Sequence, residues 1–419
     1  MRSYGALYSE DQAAMEKQWI FEGLKIVDFC TAAVGPLPLK YLADHGATVV
    51  KVESSHRPDV VRTGGPFKDA VNELDRSAWY PNYNTSKFGL ALNMNRPGAL
   101  EIAFKLIEWC DIMGESFTPG MMKRWGMDYD SVRKFKPDII YFSTCQQGQY
   151  GPHSQFRGYG PHASAVAGVY HMTGWPDREP ATIYGAYNDF IAPRFATAVL
   201  IAALDYRRRT GRGQYLDLSQ YECGVTFMAP VIMDYFVNGR VQSRRGNQAS
   251  DAAPHGVYPC EGLDRWVAVA VTDDDQWKAF CRVVGQPDWT NDPRYRTLLG
   301  RKEHEDELNR AVESWTRLHP ADEIMSEMQE AGVPAGVVHR YEGLFNDPQM
   351  KHRGHFVKLK HAVIGEHHYD GIPYKLSKSP QGPRWAGPAM GQHLEKVCLE
   401  LLGMTEDDLA EYVAAEVFE

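Results

Sequence analysis

Apolar residues in the first half of the chain fall into two alternating periods. Residues 24–28 and 48–52 are short, mostly apolar runs of strand length, the second rich in valine. Between them, residues 37–45 carry apolar positions at helical spacing, and Gly46 closes the run. Strand, helix, strand in this order predicts a parallel pair joined by a right-handed crossover. Pro97 opens a further helix over 97–110, since proline is favoured in a first helical turn. Strands are predicted at 111–113 and 139–143, with Gly126 and a helix over 129–135 between them. A long helix over 192–209 keeps Phe195, Val199, Leu200, Ala203 and Leu204 on one spacing. Arg207 to Arg209 close it, where cations complement the helix dipole. Residues 211–213 then turn into a strand over 215–218, where Asp217 reads as structural.

The pattern changes at 239–254, a polar stretch with several Gly, Asn and Ala that reads as a linker or mobile loop. Beyond it come a strand over 266–271, helices over 275–284, 303–317 and 321–331, and a strand over 333–338. These describe a small α+β domain. From 355 the chain returns to strands and loops and ends in helices over 391–402 and 406–413. The expected organisation is a large domain over 1–225, a linker and small domain over 226–340, and a return to the large domain over 341–419.

Composition narrows the function. The 419 residues are 43% hydrophobic and 24% charged, with a net charge of −9, which disfavours a nucleic-acid partner. The basic runs at 207–212 and 244–245 are too short to follow a phosphate backbone. No apolar stretch approaches the roughly 20 residues that span a bilayer, and residues 1–18 hold no hydrophobic segment of signal-peptide type. A cytoplasmic protein without a membrane partner is expected. The seven cysteines are far apart with no C-x-x-C, as expected of free thiols in a reducing compartment. His352, His361, His367 and His368 cluster in sequence, but adjacent strand residues point to opposite faces, so no metal is expected there.

The familiar catalytic templates are missing: no G-x-G-x-x-G follows the first strand, and no P-loop, H-E-x-x-H or G-x-S-x-G is present. Residues 211–214 read better as a helix-terminating turn than as a phosphate loop. The candidate that remains is Asp189, in the segment 185–190 just before the long helix. A glycine and small residues there permit close approach of a ligand, and the helix start supplies partial positive charge. Two readings stay open at this point: an N-cap aspartate, or a carboxylate nucleophile that forms an acyl-enzyme.

Taken together, several segments resemble the class III CoA-transferases. They are 23–29 running through 34–36 to 41–47 and 49–53, then Asp59 and Arg62, then 84–87. Next come 115–120 with 124–126, Ser143 with 148–149 and 151–152, and Asp189 followed by 210–214. Later pieces are 275–277, 292–295, 332–335 and 391–393, so the resemblance covers nearly the whole chain. It implies an α/β protein: a Rossmann-like large domain built from both chain ends, a small α+β domain, and an interlocked dimer, either a homodimer or a heteromer with a related subunit. It implies Asp189 as the nucleophile, passing through mixed anhydrides and an aspartyl-CoA thioester, with Gly246 and Asn247 among the glycine-rich loop residues that could donate to the oxyanion. It places CoA against Ala33, Val34, Asn84, Lys87, Phe117, Arg124 and the stretch Arg157, Gly158, Tyr159 and Gly160. Coenzyme A and acyl-CoA enter as substrates, with no tightly bound cofactor.

Two departures stand out. Some family members carry glutamine where this chain has Ala33, and arginine where it has Ser54. An α-methylacyl-CoA racemase shares the fold but needs an acid–base pair about the α-carbon; its acidic position falls on Gly160 here. A CoA-binding subunit of a hetero-oligomeric transferase is the other alternative. Tyr170, His171, Trp175, Tyr184 and Tyr187 suggest a large, aryl-substituted dicarboxylic acceptor, with succinyl-CoA as donor. Aromatic residues at this density also serve as core.

Overall fold

A computed structural model describes residues 18–419, so the reading of the first 17 residues lies outside it. The chain forms two compact units. The larger comprises residues up to 169, 183–239 and 354–419; the smaller comprises 170–182 and 240–353. The division thus falls after residues 239 and 353, rather than at 225 and 340. A short excursion at 170–182, which periodicity did not mark, also belongs to the smaller unit.

The larger unit opens with β1 (Lys25–Asp28), α1 (Pro36–Ala43), β2 (Thr48–Glu53), α2 (Trp79–Tyr83) and β3 (Lys87–Ala91). It continues with α3 (Pro97–Trp109), β4 (Ile112–Glu115), α4 (Met121–Arg124), α5 (Tyr129–Val132), β5 (Ile140–Cys145) and α6 (Gly160–Val166). Then follow α7 (Tyr187–Thr210), β6 (Gln214–Ser219), α8 (Gln220–Phe227) and α9 (Ala229–Asn238). The six strands form one sheet in the order β3-β2-β1-β4-β5-β6, every neighbouring pair parallel. Parallel strands are covered on both faces, which accounts for their nearly continuous apolar character. One face packs α3 through Ile102, Leu106 and Ile107; the other packs α1 and α7 through Leu39, Leu42, Ala196 and Leu200.

The smaller unit holds β7 (His255–Pro259), β8 (Trp266–Ala270), α10 (Asp274–Val283), α11 (Leu298–Glu303), α12 (Glu305–Thr316), α13 (Ala321–Glu330), β9 (Ala335–Val337), α14 (Tyr341–Asn346) and α15 (Pro348–Arg353). Its sheet is antiparallel in the order β7-β8-β9. Its core is aromatic: Trp277 stacks on Phe280 at 5.6 Å, and Arg301 lies over the Trp277 ring at 5.2 Å. The chain then rejoins the larger unit through a hairpin of β10 (Phe356–His361) and β11 (Gly365–Asp370), a π-helical turn at Lys396–Leu401, and α16 (Glu406–Ala414). Val397, Cys398 and Val417 enter the core that contains α3. The larger unit is therefore built from both ends of the described chain.

Three differences from the periodicity reading matter for function. β3 was not predicted, because it begins with a lysine that reads as a surface charge. α7 starts at Tyr187 rather than 192, which brings Asp189 into the first turn; Ala186 is the N-cap residue. α8 and α9 follow β6 with no amphipathic signal strong enough to announce them.

Candidate active site

The strand order reverses direction between β1 and β4, one lying on each side of the point where the connections diverge. In open parallel sheets, ligands bind in the crevice outside the carboxyl ends of the strands at such a switch point. Here a cleft of about 400 Å³ opens there. The loop after β1 lines it with Thr31 to Gly35, the loop after β4 with Ser116 to Pro119, and the chain after β5 with Cys145 and Gln146. The stretch from Ser154 to Gly160 and the first turn of α7, through Asp189, complete the wall.

The β1 loop is held from below by buried charge. Cys30 N–H donates to Asp28 at 2.9 Å, Thr31 N–H to Ser116 Oγ at 2.8 Å, and Ala32 N–H to Asp59 Oδ1 at 2.8 Å. Lys51 Nζ donates to the Cys30 carbonyl and lies 3.5 Å from Asp59. This holds Ala32 in the left-handed region at φ 63°. Ala33, Val34 and Gly35 line the cleft, and their N–H groups have no hydrogen-bond partner among the described residues.

Among the described residues Asp189 is the only carboxylate lining the cleft, and Arg157 the only cation. Burial, with no cation beside it, pushes the Asp189 carboxyl up to about 6. Its backbone N–H donates to the Ala186 carbonyl at 2.9 Å. Pro193, one turn on, offers no N–H to the Asp189 carbonyl. Gly160 faces the carboxylate so closely that a Cβ there would overlap all three carboxyl atoms of Asp189. The space a side chain at 160 would occupy is already filled by the aspartate.

Asn188 is fully buried beside it. Its backbone N–H donates to Ser164 Oγ at 3.2 Å, and its side-chain amide donates to the Gln220 carbonyl at 3.0 Å. Deeper in the wall, Glu115 accepts from Phe117 N–H at 2.8 Å and from the Ser143 hydroxyl; burial lifts it to about 7.

Of the residues expected to meet CoA, Ala33, Val34, Phe117 and the stretch from Arg157 to Gly160 share this cleft with Asp189. Arg124 lines a second cleft of about 400 Å³, with His56, Arg57, Met94 and Trp125. Thr31 and Phe117 line both. Asn84 and Lys87 are placed differently, each with 0% exposure. Lys87 Nζ donates to Asp28 at 2.7 Å, to Asn84 at 2.9 Å and to the Pro36 carbonyl at 2.9 Å, so its three protons are taken inside the protein. Both residues brace the cleft from beneath. Tyr187 packs edge-on against Phe227 at 5.2 Å, and Tyr184 is 89% exposed. Tyr170, His171 and Trp175 belong to the smaller unit, as do Gly246 and Asn247, where Gly246 lies under the Trp175 ring. Sequence reasoning gave no role to His56, Arg57, Glu115 or Asn188, and a lone polar residue beside a strand end or an aspartate carries no signal of its own.

A profile of CoA-transferase family III matches residues 21–394. The succinyl-CoA–D-citramalate CoA-transferase of Chloroflexus aurantiacus is 31% identical over 396 residues, 94% of this chain and 97% of that protein. Mouse succinyl-CoA:glutarate CoA-transferase is 27% identical, over 95% of this chain and 90% of its own. The crystal structure of a CAIB/BAIF family protein from Brucella suis superposes with a TM-score of 0.84 at 28% identity, covering 92% of this chain and all of that one. The chain belongs to CoA-transferase family III and is a CoA-transferase. No helix among the described residues is long and apolar enough to cross a membrane.

Proposed function

We propose that this enzyme moves CoA from succinyl-CoA to a dicarboxylic acid, with Asp189 as the covalent nucleophile. The observation that carries this is a single carboxylate, raised by burial, beside a loop that presents free N–H groups in one cleft. The Asp189 carboxylate attacks the thioester carbonyl and CoA thiolate leaves, giving a mixed anhydride. The thiolate then attacks the aspartyl carbonyl and releases the donor acid, leaving an aspartyl-CoA thioester. The acceptor carboxylate attacks that thioester, and the returning thiolate takes the acceptor acyl group and frees Asp189. Each step makes one acyl bond and breaks another, with no net proton transfer. Each tetrahedral oxyanion needs donors, and the N–H groups of Ala33, Val34 and Gly35 are the candidates.

The second cleft, with His56, Arg57 and Arg124, suits the phosphates of the nucleotide end of CoA. Arg157 suits the distal carboxylate of a dicarboxylic acid. Relatives named for citramalate and glutarate support that class. An aryl acceptor draws no support from the cleft beside Asp189, because neither Tyr184 nor Tyr187 lines it. A racemase reading lacks its second acid–base group, since the acidic position falls on Gly160, which has no side chain.

The test is incubation with succinyl-CoA, trapping with hydroxylamine and peptide mapping by mass spectrometry. A hydroxamate on Asp189, lost in Asp189→Ala, is expected. No adduct, together with α-proton exchange in deuterated water, would move the enzyme to racemase chemistry. Silence in both would leave a subunit that needs a partner.

A further inference from the structure

The nucleophile needs more than a carboxylate. Its oxygens must sit within near-attack distance of the thioester carbon, and misplacement of about 1 Å can cost on the order of 100-fold. An aspartate has two side-chain torsions, so something must select one position. Among the described residues no cation and no hydrogen-bonding side chain holds the Asp189 oxygens, yet two features of its surroundings restrict it.

The first is steric. Gly160, at the start of α6, lies against the carboxylate with no room for a Cβ between them. The second is a hydrogen-bonded tie between the two chain segments concerned. Ser164 Oγ lies 3.1 Å from the Gly160 carbonyl and 3.2 Å from Asn188 Oδ1, and accepts from Asn188 N–H at 3.2 Å. One hydroxyl therefore touches both the residue that faces the carboxylate and the residue that precedes it. Ser164 and Asn188 are both fully buried. Asn188 is tied in turn to α8 through Gln220, and Gly224 on α8 approaches so closely that a Cβ there would lie 2.5 Å from Asn188 Nδ2. Three helices thus converge on one asparagine beside the nucleophile.

We propose that Gly160, Ser164 and Asn188 are positioning residues that form a seat for the Asp189 carboxylate, Gly160 by leaving the space and Ser164 with Asn188 by fixing the two segments around it. They act through Asp189, so the inference rests on its role as nucleophile.

The experiment measures the rate of Asp189 adduct formation from succinyl-CoA across pH, with CoA affinity measured separately. It compares wild type with Gly160→Ala, Ser164→Ala and Ser164→Thr. Gly160→Ala is expected to slow adduct formation about 100-fold, with the pH midpoint of the remaining rate displaced. Ser164→Ala is expected to slow it about 10-fold, and Ser164→Thr, which keeps the hydroxyl, to restore it. Rates and midpoints like those of wild type in both Gly160→Ala and Ser164→Ala would overturn the seat. If Gly160→Ala does not fold, the serine pair decides: equal rates in Ser164→Ala and Ser164→Thr count against it. A wild-type enzyme that forms no adduct would instead remove the nucleophile role, a distinct result.

Discussion

At the scale of the residue, Asp189 combines an ordinary side chain with an unusual setting. Burial lifts its carboxyl to about 6 with no compensating cation. Two consequences follow with defined signs. If Asp189 is the nucleophile proposed above, its ionised form reacts, so adduct formation is expected to rise with pH through about 6 and to fall away below it. Ionisation also costs more in the folded than in the unfolded chain, so Asp189 destabilises the protein as pH rises from the ordinary carboxylate range through 6. Asp189→Asn removes that cost. It is expected to stabilise the fold at pH 8 by up to about 2 kcal/mol, a figure reduced because the residue is half-buried and partly screened by solvent. At pH 4 it should be neutral. Urea unfolding at both pH values checks this, and a variant equally destabilised at both would contradict it. The same measurement separates Asp189 from Glu115, which burial lifts to about 7. The position of Asp189 was legible in the sequence; its environment was not, because desolvation depends on what α6 and the β1 loop bring to it.

Elements are joined under the cleft by buried charge. Lys87 opens β3, Asp28 closes β1, Pro36 opens α1 and Asn84 follows α2, and all four meet at one ammonium group. Removing one partner of a fully buried ion pair leaves the other charge uncompensated, at a cost of about 3–5 kcal/mol. Lys87→Met is therefore expected to lose stability of that order in urea, while its folded fraction binds CoA as wild type does. Unchanged stability with weakened CoA binding would show instead that Lys87 reaches the ligand. A sequence reading takes a lysine beside a turn as a surface charge or a phosphate contact, because enclosure is a property of the sheet. The same limit hid β3. The first turn of α7 was missed for a related reason: residues 187–191 lack a strong helical pattern, and the buried bonds of Asn188 anchor them.

For the whole molecule, α9 poses the main question. It is apolar, yet none of its residues is buried, and Phe236 is 74% exposed with Met233, Tyr235 and Val237 also open. An exposed apolar surface of this kind marks an interaction site. With the dimer implied by the family resemblance, a second copy is the partner we infer. Sedimentation tests this: a dimer for the wild type and a monomer for Phe236→Asp combined with Met233→Asp are expected. An unchanged dimer would remove α9 from the interface. By itself the sequence determined the run of strands and helices from 24 to 52, the small α+β domain, the family and the aspartate to examine. Those follow from local periodicity and from the order of motifs, which a single chain displays directly. Only the tertiary structure decided that the cleft lies at the β1–β4 switch point, that Lys87 is a brace, and that Asp189 fills the space over Gly160. Those depend on which distant segments meet, and no local pattern carries that information.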